Sequence, residues 1–167
     1  MDQTSEERRR FKVRAYVEDV LRSLQPRLKK TRHEVVLDCP DDLELDSYPG
    51  AFSQIITNLV MNSLDHGFEK IEQGRIILDF SREDHRVFFR YQDNGQGMDE
   101  ETRKRVFDPF FTTKRGRGGS GLGMHIVYNL ATQQLGGDIQ YWSAPEKGES
   151  VTITMPVQPN TDQEKAV

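Results

Sequence analysis

A chain of 167 residues, 30% charged and 35% hydrophobic, is long enough for one domain with a real core and polar enough to fit a soluble domain with polar ends. Its formal charge of −4, from 23 basic and 27 acidic residues, offers no basic field for nucleic acid. There is no apolar run near membrane-spanning length, no signal peptide, and a lone Cys39 that cannot form an internal disulfide; a cytoplasmic setting without direct membrane contact is expected for this stretch, with membrane anchoring of a full-length protein left open.

Residues 1–10 are polar and close on Arg8-Arg9-Arg10, which reads as a linker or a solvated helix end. Phe11 and Val13 suggest a short strand. Tyr16, Val17, Val20, Leu21 and Leu24 then recur at helical spacing, predicting a helix to about Lys30. His33 to Leu37 reads as a strand and Pro40-Asp41-Asp42 as a turn, with Cys39 a packing residue beside it. Asp46 to Phe68 is the longest helical pattern, with Pro49 in its first turn and Gly67 at its end. Phe52, Ile55, Ile56, Leu59 and Val60 form its apolar face, and Met61 and Leu64 extend the apolar character around it. Asn58, Asn62, Asp65 and His66 fall on one narrow stripe at spacings of three and four. Buried polar side chains are costly unless satisfied, so such a stripe faces a partner helix, a polar ligand or bulk water.

Gly74 to Phe80 and Arg86 to Tyr91 read as a β-hairpin around Glu83-Asp84, with His85 exposed at its tip. The second strand runs into Asp93-Asn94-Gly95-Gln96-Gly97-Met98. A strand that ends in Asp and opens into glycines can hold a carboxylate rigidly and let the backbone pass close to a flat ligand. Asp-Asn-Gly is also a strong turn signal, and this stretch alone supports either reading. Asp99 to Phe107 is expected as a short helix with an acidic start. The long glycine-rich, basic stretch from Asp108 to Gly123 follows; loops of that length are usually functional. Met124 to Leu135 reads as a helix ended by Gly136-Gly137, and Asp138 to Trp142 and Ser150 to Met155 as the last strands. Gln158 to Val167 is a polar tail expected to be disordered.

Gly116 to Gly121 formally fits a dinucleotide fingerprint but lacks the flanking strand and helix. Instead Gly121-Leu122-Gly123 opens directly into a helix, aiming backbone N–H groups at an anion, while Lys114, Arg115 and Arg117 add positive charge. An Asp for a base edge, a glycine loop for phosphates and Asn amide oxygens for hard Mg²⁺ together compose an ATP site.

The segments Asn58-Leu59-Val60-Met61-Asn62-Ser63, Asp93 to Gly97, Phe107 to Lys114 and Gly119 to Gly123 resemble, in order, the N, G1, F and G2 boxes of sensor histidine kinases. The resemblance covers roughly Phe11 to Pro156. It implies the catalytic ATP-binding domain over residues 11–157, a two-layer α/β sandwich of the GHKL (Bergerat) type, with a mixed sheet and three main helices on one face. Residues 1–10 would then be a linker or the end of a dimerisation helix. The resemblance implies that Asn62 ligates Mg²⁺, that Asn58 lies by the phosphates as a catalytic residue, and that Asp93 accepts the adenine N6 hydrogen bond. Gly95 and Gly97 would shape the adenine site and Met98 would line it. Phe107 to Gly119 would form an ATP lid, ordering on nucleotide binding. Contacts from His66, Thr113, Lys114, Ser120, Gly121, Leu122 and Gly123 would hold the nucleotide. His125 could approach phosphates or simply pack.

Three departures stand out. Asp65 replaces a frequent basic residue, Gly148-Glu149 stands where relatives often carry Gly-Thr, and no phospho-acceptor motif is present. His33-Glu34 leads into Val35-Val36-Leu37, a strand pattern. The implied function is transfer of the ATP γ-phosphoryl group to a histidine on a separate dimerisation domain, with a response-regulator receiver domain downstream. GHKL ATPases and anti-sigma-factor serine kinases are the enzyme alternatives, but they typically carry a glutamate where this chain has Asn58. A non-catalytic nucleotide-sensing scaffold is the remaining alternative.

Overall fold

The computed structural model describes residues 7–109 and 123–158. Strand β1 (Arg9–Lys12) leads into helix α1 (Val13–Ser23) and the short α2 (Gln25–Leu28). Strands β2 (Glu34–Asp38) and β3 (Glu44–Ser47) precede the long helix α3 (Pro49–Asn62), which continues as a π-helical turn over Ser63–Gly67. The hairpin β4 (Arg75–Glu83) and β5 (Arg86–Asp93) follows, then α4 (Glu100–Lys104). Helix α5 (Gly123–Asn129), a second π turn (Leu130–Gln134), β6 (Asp138–Ser143) and β7 (Glu149–Pro156) complete the described chain.

The main sheet has five strands in the order β2-β4-β5-β7-β6; β2 and β4 are parallel and the other neighbours antiparallel. Alternation along the strands fills one face. Ile76, Leu78 and Phe80 of β4, Val87, Phe89 and Tyr91 of β5, and Val151, Ile153 and Met155 of β7 are all buried. Against them pack Val13, Val17 and Val20 of α1, Phe52, Ile55, Ile56, Leu59 and Val60 of α3, and Met124 and Val127 of α5. Burying each such side chain is worth roughly 1.5–3 kcal/mol, which glues the helical layer to the sheet. The mixed two-layer sandwich with three main helices on one face is therefore as expected.

Several boundaries differ, each for a local reason. The first strand begins at Arg9, two residues before Phe11, because Arg9 pairs with Ser47 in β3 and Arg10 with Asp46. Arg8 pairs with Asp46 at 3.4 Å, adding charge to that seam. Val13 is not a strand residue: it opens α1, its N–H donating to the Leu43 carbonyl at 3.1 Å. The first helix does not run unbroken to Lys30, since Pro26 has no N–H to continue the ladder and instead starts α2. Asp46 does not begin the long helix; it lies in β3, an unforeseen strand whose N–H at Asp46 donates to the Val157 carbonyl at 3.1 Å. The helix starts at Pro49 and ends at Asn62 rather than Phe68, the remainder widening into the π turn. The expected helix from Asp99 to Phe107 shrinks to Glu100–Lys104, capped by Asp99, whose carboxylate accepts the Thr102 N–H at 2.7 Å. The hairpin turn falls on Asp84-His85, because Glu83 still pairs with Arg86.

Cys39 is buried, and burial pushes its thiol up to about 11, in keeping with a packing residue. No helix among the described residues is long and apolar enough to cross a membrane. Residues 159–167, most of the expected tail, lie outside the described residues.

Candidate functional site

The register of the sheet gathers the site. Asp93 ends β5, directly opposite Glu149 at the start of β7, which is itself opposite Ser143 at the end of β6. Facing positions of paired strands point to the same side, here the helix-covered one. The C-terminal end of α3 and its π turn lie over these strand ends, and Ser63, the first residue of that turn, is fully buried.

Asp93 is only 7% exposed and tightly held. The Ser63 hydroxyl donates to its Oδ2 at 2.6 Å and the Gly95 N–H to its Oδ1 at 2.9 Å. The Glu149 backbone N–H donates to the same carboxylate. Burial raises the Asp93 pKa above its ordinary value, and these three donors oppose that rise. The Tyr91 hydroxyl stands behind, 2.6 Å from Ser63 Oγ and donating to the Leu59 carbonyl at 3.0 Å. The carboxylate is thus fixed from α3, β5 and β7 at once, and lone pairs remain free to accept from a ligand N–H.

The glycines around it serve chain-to-chain contact. A Cβ on Gly95 would lie 2.5 Å from the Gly67 carbonyl oxygen, and one on Gly97, at φ +72°, would lie 1.9 Å from that of Ala144. At both positions the backbone of the π turn or of the β6–β7 loop leaves no room for a side chain. Gln96 ties these together, its N–H donating to the Gly67 carbonyl at 2.8 Å and its Nε2 to the His66 carbonyl at 2.9 Å. Met98 donates its N–H to Ser143 Oγ at 2.9 Å, and the Tyr141 hydroxyl contacts both Met98 Sδ (3.4 Å) and Glu149 Oε2 (3.3 Å).

The expected polar stripe does not survive the π turn, whose extra residue rotates the following side chains. Asp65 is exposed and bonds Arg27 of α2 at 2.9 Å, outside the site. His66 is half-buried, and its carbonyl oxygen holds Gln96. Asn58 and Asn62 remain one helical turn apart, and Asn62 Oδ1 lies 3.4 Å from where a Cβ on Gly123 would be, so α3 meets the first residue of α5 there. Among the described residues, only two buried side-chain polar atoms lack a hydrogen-bond partner: Asn58 Nδ2 and Glu149 Oε1. Asn58 adjoins Leu59, whose carbonyl holds the Tyr91 hydroxyl, and Glu149 stands opposite Asp93.

His125 hydrogen-bonds the Phe107 carbonyl at 3.3 Å and Asn129 at 3.2 Å, so it anchors the end of the Phe107 segment by packing. Phe107 sits against the Tyr128 and Tyr141 rings at 5.2 and 5.9 Å. Thr113, Lys114, Ser120, Gly121 and Leu122, with the expected lid beyond Pro109, lie outside the described residues. Four participants escaped sequence reasoning: Ser63, Tyr141, Ser143 and Glu149. Ser63 closes the Asn58–Ser63 segment and Glu149 stood out as a departure, but neither carried a signal of its role.

Among the described residues no three His, Cys, Asp or Glu side chains group as metal ligands. The amide oxygens of Asn58 and Asn62 are the hard donors this end of the site offers, a set that suits a cation completed by phosphate and water.

The family described as histidine kinase-, DNA gyrase B- and HSP90-like ATPases matches residues 48–159. The C4-dicarboxylate transport sensor protein DctB of Pseudomonas aeruginosa is 33% identical over 138 residues, which are 82% of this chain and 22% of that protein. The chain spans between 15% and 22% of the length of several curated relatives it matches. Among solved structures, the catalytic domain of the histidine kinase ThkA is 24% identical with a TM-score of 0.79, covering 92% of this chain and 98% of that one. Full-length ShkA in complex with AMPPNP is 24% identical with a TM-score of 0.75, covering 91% of this chain and 31% of that one. At these identities the structural likeness establishes the fold.

Proposed function

The chain belongs to the family of histidine kinase-, DNA gyrase B- and HSP90-like ATPases, and we propose that within it the chain is the ATP-binding catalytic domain of a two-component sensor histidine kinase. Asp93 accepts a hydrogen bond from the adenine N6 amine. Gly95, Gly97 and Met98 shape the surface under the base. Asn58 and Asn62 face the phosphates, and Asn62 is the proposed Mg²⁺ ligand; the bound cation would neutralise phosphate charge. His66, Gly123 and the residues Thr113, Lys114, Ser120, Gly121 and Leu122 are proposed nucleotide contacts. A histidine nitrogen of a dimerisation domain attacks the γ-phosphorus and ADP leaves, a reaction that rests on placement and charge stabilisation. A response-regulator receiver domain is the proposed next acceptor.

The observation that carries this reading is the pair of unpartnered buried atoms. Among the described residues Asn58 Nδ2 and Glu149 Oε1 alone are buried without a partner; Asn58 adjoins Leu59, whose carbonyl accepts the Tyr91 hydroxyl, and Glu149 stands opposite Asp93. Native folds satisfy nearly all buried polar groups, so unmet ones at a site call for a polar ligand. The hydrolytic alternative lacks support at Asn58: a neutral amide cannot accept the proton of an attacking water. The test is titration of the chain and its Asp93→Asn variant with ATP and GTP. A hydrogen bond to a charged group is worth roughly 1.5–3 kcal/mol, so the variant should bind ATP about ten- to a hundredfold more weakly. Unchanged ATP affinity would reduce Asp93 to a turn residue.

A further inference from the structure

Asp93 is not the only carboxylate at the base end. Glu149 occupies the facing position on β7, on the same side of the sheet. Among the described residues its Oε1 is buried without a partner, and its Oε2 meets only the Tyr141 hydroxyl, at 3.3 Å. We propose that Glu149 is a second base-reading residue, which in its neutral form donates an O–H hydrogen bond to a 6-aminopurine beside the acceptor Asp93. This rests on the adenine-nucleotide reading above and names the residue that would complete its specificity.

The argument begins with donor counts. Asp93 receives Ser63 O–H, Gly95 N–H and Glu149 N–H, all of which favour its ionised form. Glu149 receives one hydroxyl, and Tyr141 divides that between Glu149 and Met98. When two carboxyl groups share a site, the less well solvated one takes the proton. The charged and titratable groups acting on Glu149 are Asp93 and Tyr91 from β5 and Tyr141 from β6. From the helical layer, among the described residues, the Ser63 hydroxyl and the Leu59 carbonyl reach this network, and neither is charged. Burial first and the Asp93 charge second push Glu149 up to about 8, while Tyr141 opposes the shift.

A neutral Glu149 with an ionised Asp93 presents one donor and one acceptor side by side. The Watson–Crick edge of adenine carries the complement, an N6–H donor next to the N1 acceptor. Guanine and hypoxanthine carry the reverse order, an O6 acceptor next to an N1–H donor, and would set O6 against the Asp93 carboxylate. Sites that pair each polar group discriminate strongly against analogues that leave one unpaired. Ionisation of Glu149 turns its donor into an acceptor facing N1, so binding is strong below the Glu149 pKa and lost as pH rises through it.

The experiment measures the affinity of ADP·Mg²⁺ and IDP·Mg²⁺ for the chain, Glu149→Gln and Asp93→Asn between pH 6.5 and 9.5. The Gln variant keeps a donor that does not titrate. The ratio of its affinity to that of the parent cancels the ionisation of the nucleotide and of other protein groups. Because affinity scales with the competent fraction, the parent should lose about tenfold for ADP between pH 7 and 9 relative to Glu149→Gln. Carbon-13 NMR of the Glu149 carboxyl in the parent gives a reading independent of any variant: ADP should raise the pH at which it titrates. Parallel pH profiles for parent and Glu149→Gln, or a titration that ADP leaves unmoved, overturn the inference. If Asp93→Asn still loses ADP, the adenine reading survives that failure; if the parent binds ADP and IDP alike and Asp93→Asn changes nothing, both fall.

Discussion

Ser63 shows how much one hydroxyl can hold in place. It is fully buried, bonded to Asp93 at 2.6 Å and in contact with Tyr91 at 2.6 Å. Removing the hydroxyl leaves the buried carboxylate short of a donor, which costs about 1–3 kcal/mol, while the Tyr91 phenol keeps the Leu59 carbonyl. Ser63→Ala should therefore unfold at lower denaturant with an unchanged slope. It should also bind ADP more weakly, because Asp93 loses the donor that fixes its rotamer. Equal midpoints for the variant and the parent would show that the hydroxyl contributes nothing net.

At the scale of elements, the site is a junction of three loops rather than a property of any helix. The β5–α4 connection threads between the π turn and the β6–β7 loop. Gln96 N–H bonds the Gly67 carbonyl at 2.8 Å, and the Gln96 carbonyl accepts the Glu146 N–H at 2.6 Å. Gly97 sits at the tightest point, in the left-handed region. Gly97→Ala would add left-handed strain of about 1–2 kcal/mol and drive a methyl group into the Ala144 carbonyl. The expected result is a clear drop in melting temperature together with loss of ADP binding, read by calorimetry and titration. A fully stable variant that still binds would mean that the junction can re-form without the glycine. The Arg27–Asp65 pair on the opposite side of the π turn is exposed at both ends and belongs to a class worth little.

For the whole molecule, the question is what this chain does alone. His33 is engaged, accepting the Gly74 N–H at 2.7 Å and resting 4.4 Å from the Phe68 ring. His125 is bonded to Phe107 and Asn129, and His85 is exposed at the hairpin turn with no acceptor motif around it. With an amide at Asn58 in place of a general base, hydrolysis forgoes a factor of about 10²–10⁴. Incubated with γ-labelled ATP, the chain should neither retain label nor release phosphate rapidly. Adding a dimerisation domain that carries the acceptor histidine should produce labelled acceptor. Rapid phosphate release, or stable label on this chain, would favour the hydrolytic or serine-kinase alternatives.

Local patterning decided much of this protein. The apolar face of α3 and the alternation of β4 and β5 are written in windows of a few residues, so the helices, the hairpin and the strand ending in Asp93 are legible one by one. The motif order around Asn58, Asn62 and Asp93 identifies the family for the same reason. Tertiary structure decided the rest. Glu44–Ser47 carries too short an alternation to announce a strand, with the polar Ser47 in an inward position, and pairs because β1 and the Val157 carbonyl offer it partners. The π turn after Asn62 is invisible to a helical period, yet it buries Ser63 against Asp93 and turns Asp65 toward Arg27. Glu149 gains its meaning only from the pairing of β5 with β7, which places it opposite Asp93. Register between strands distant in sequence depends on how the whole core closes, and no short stretch encodes it.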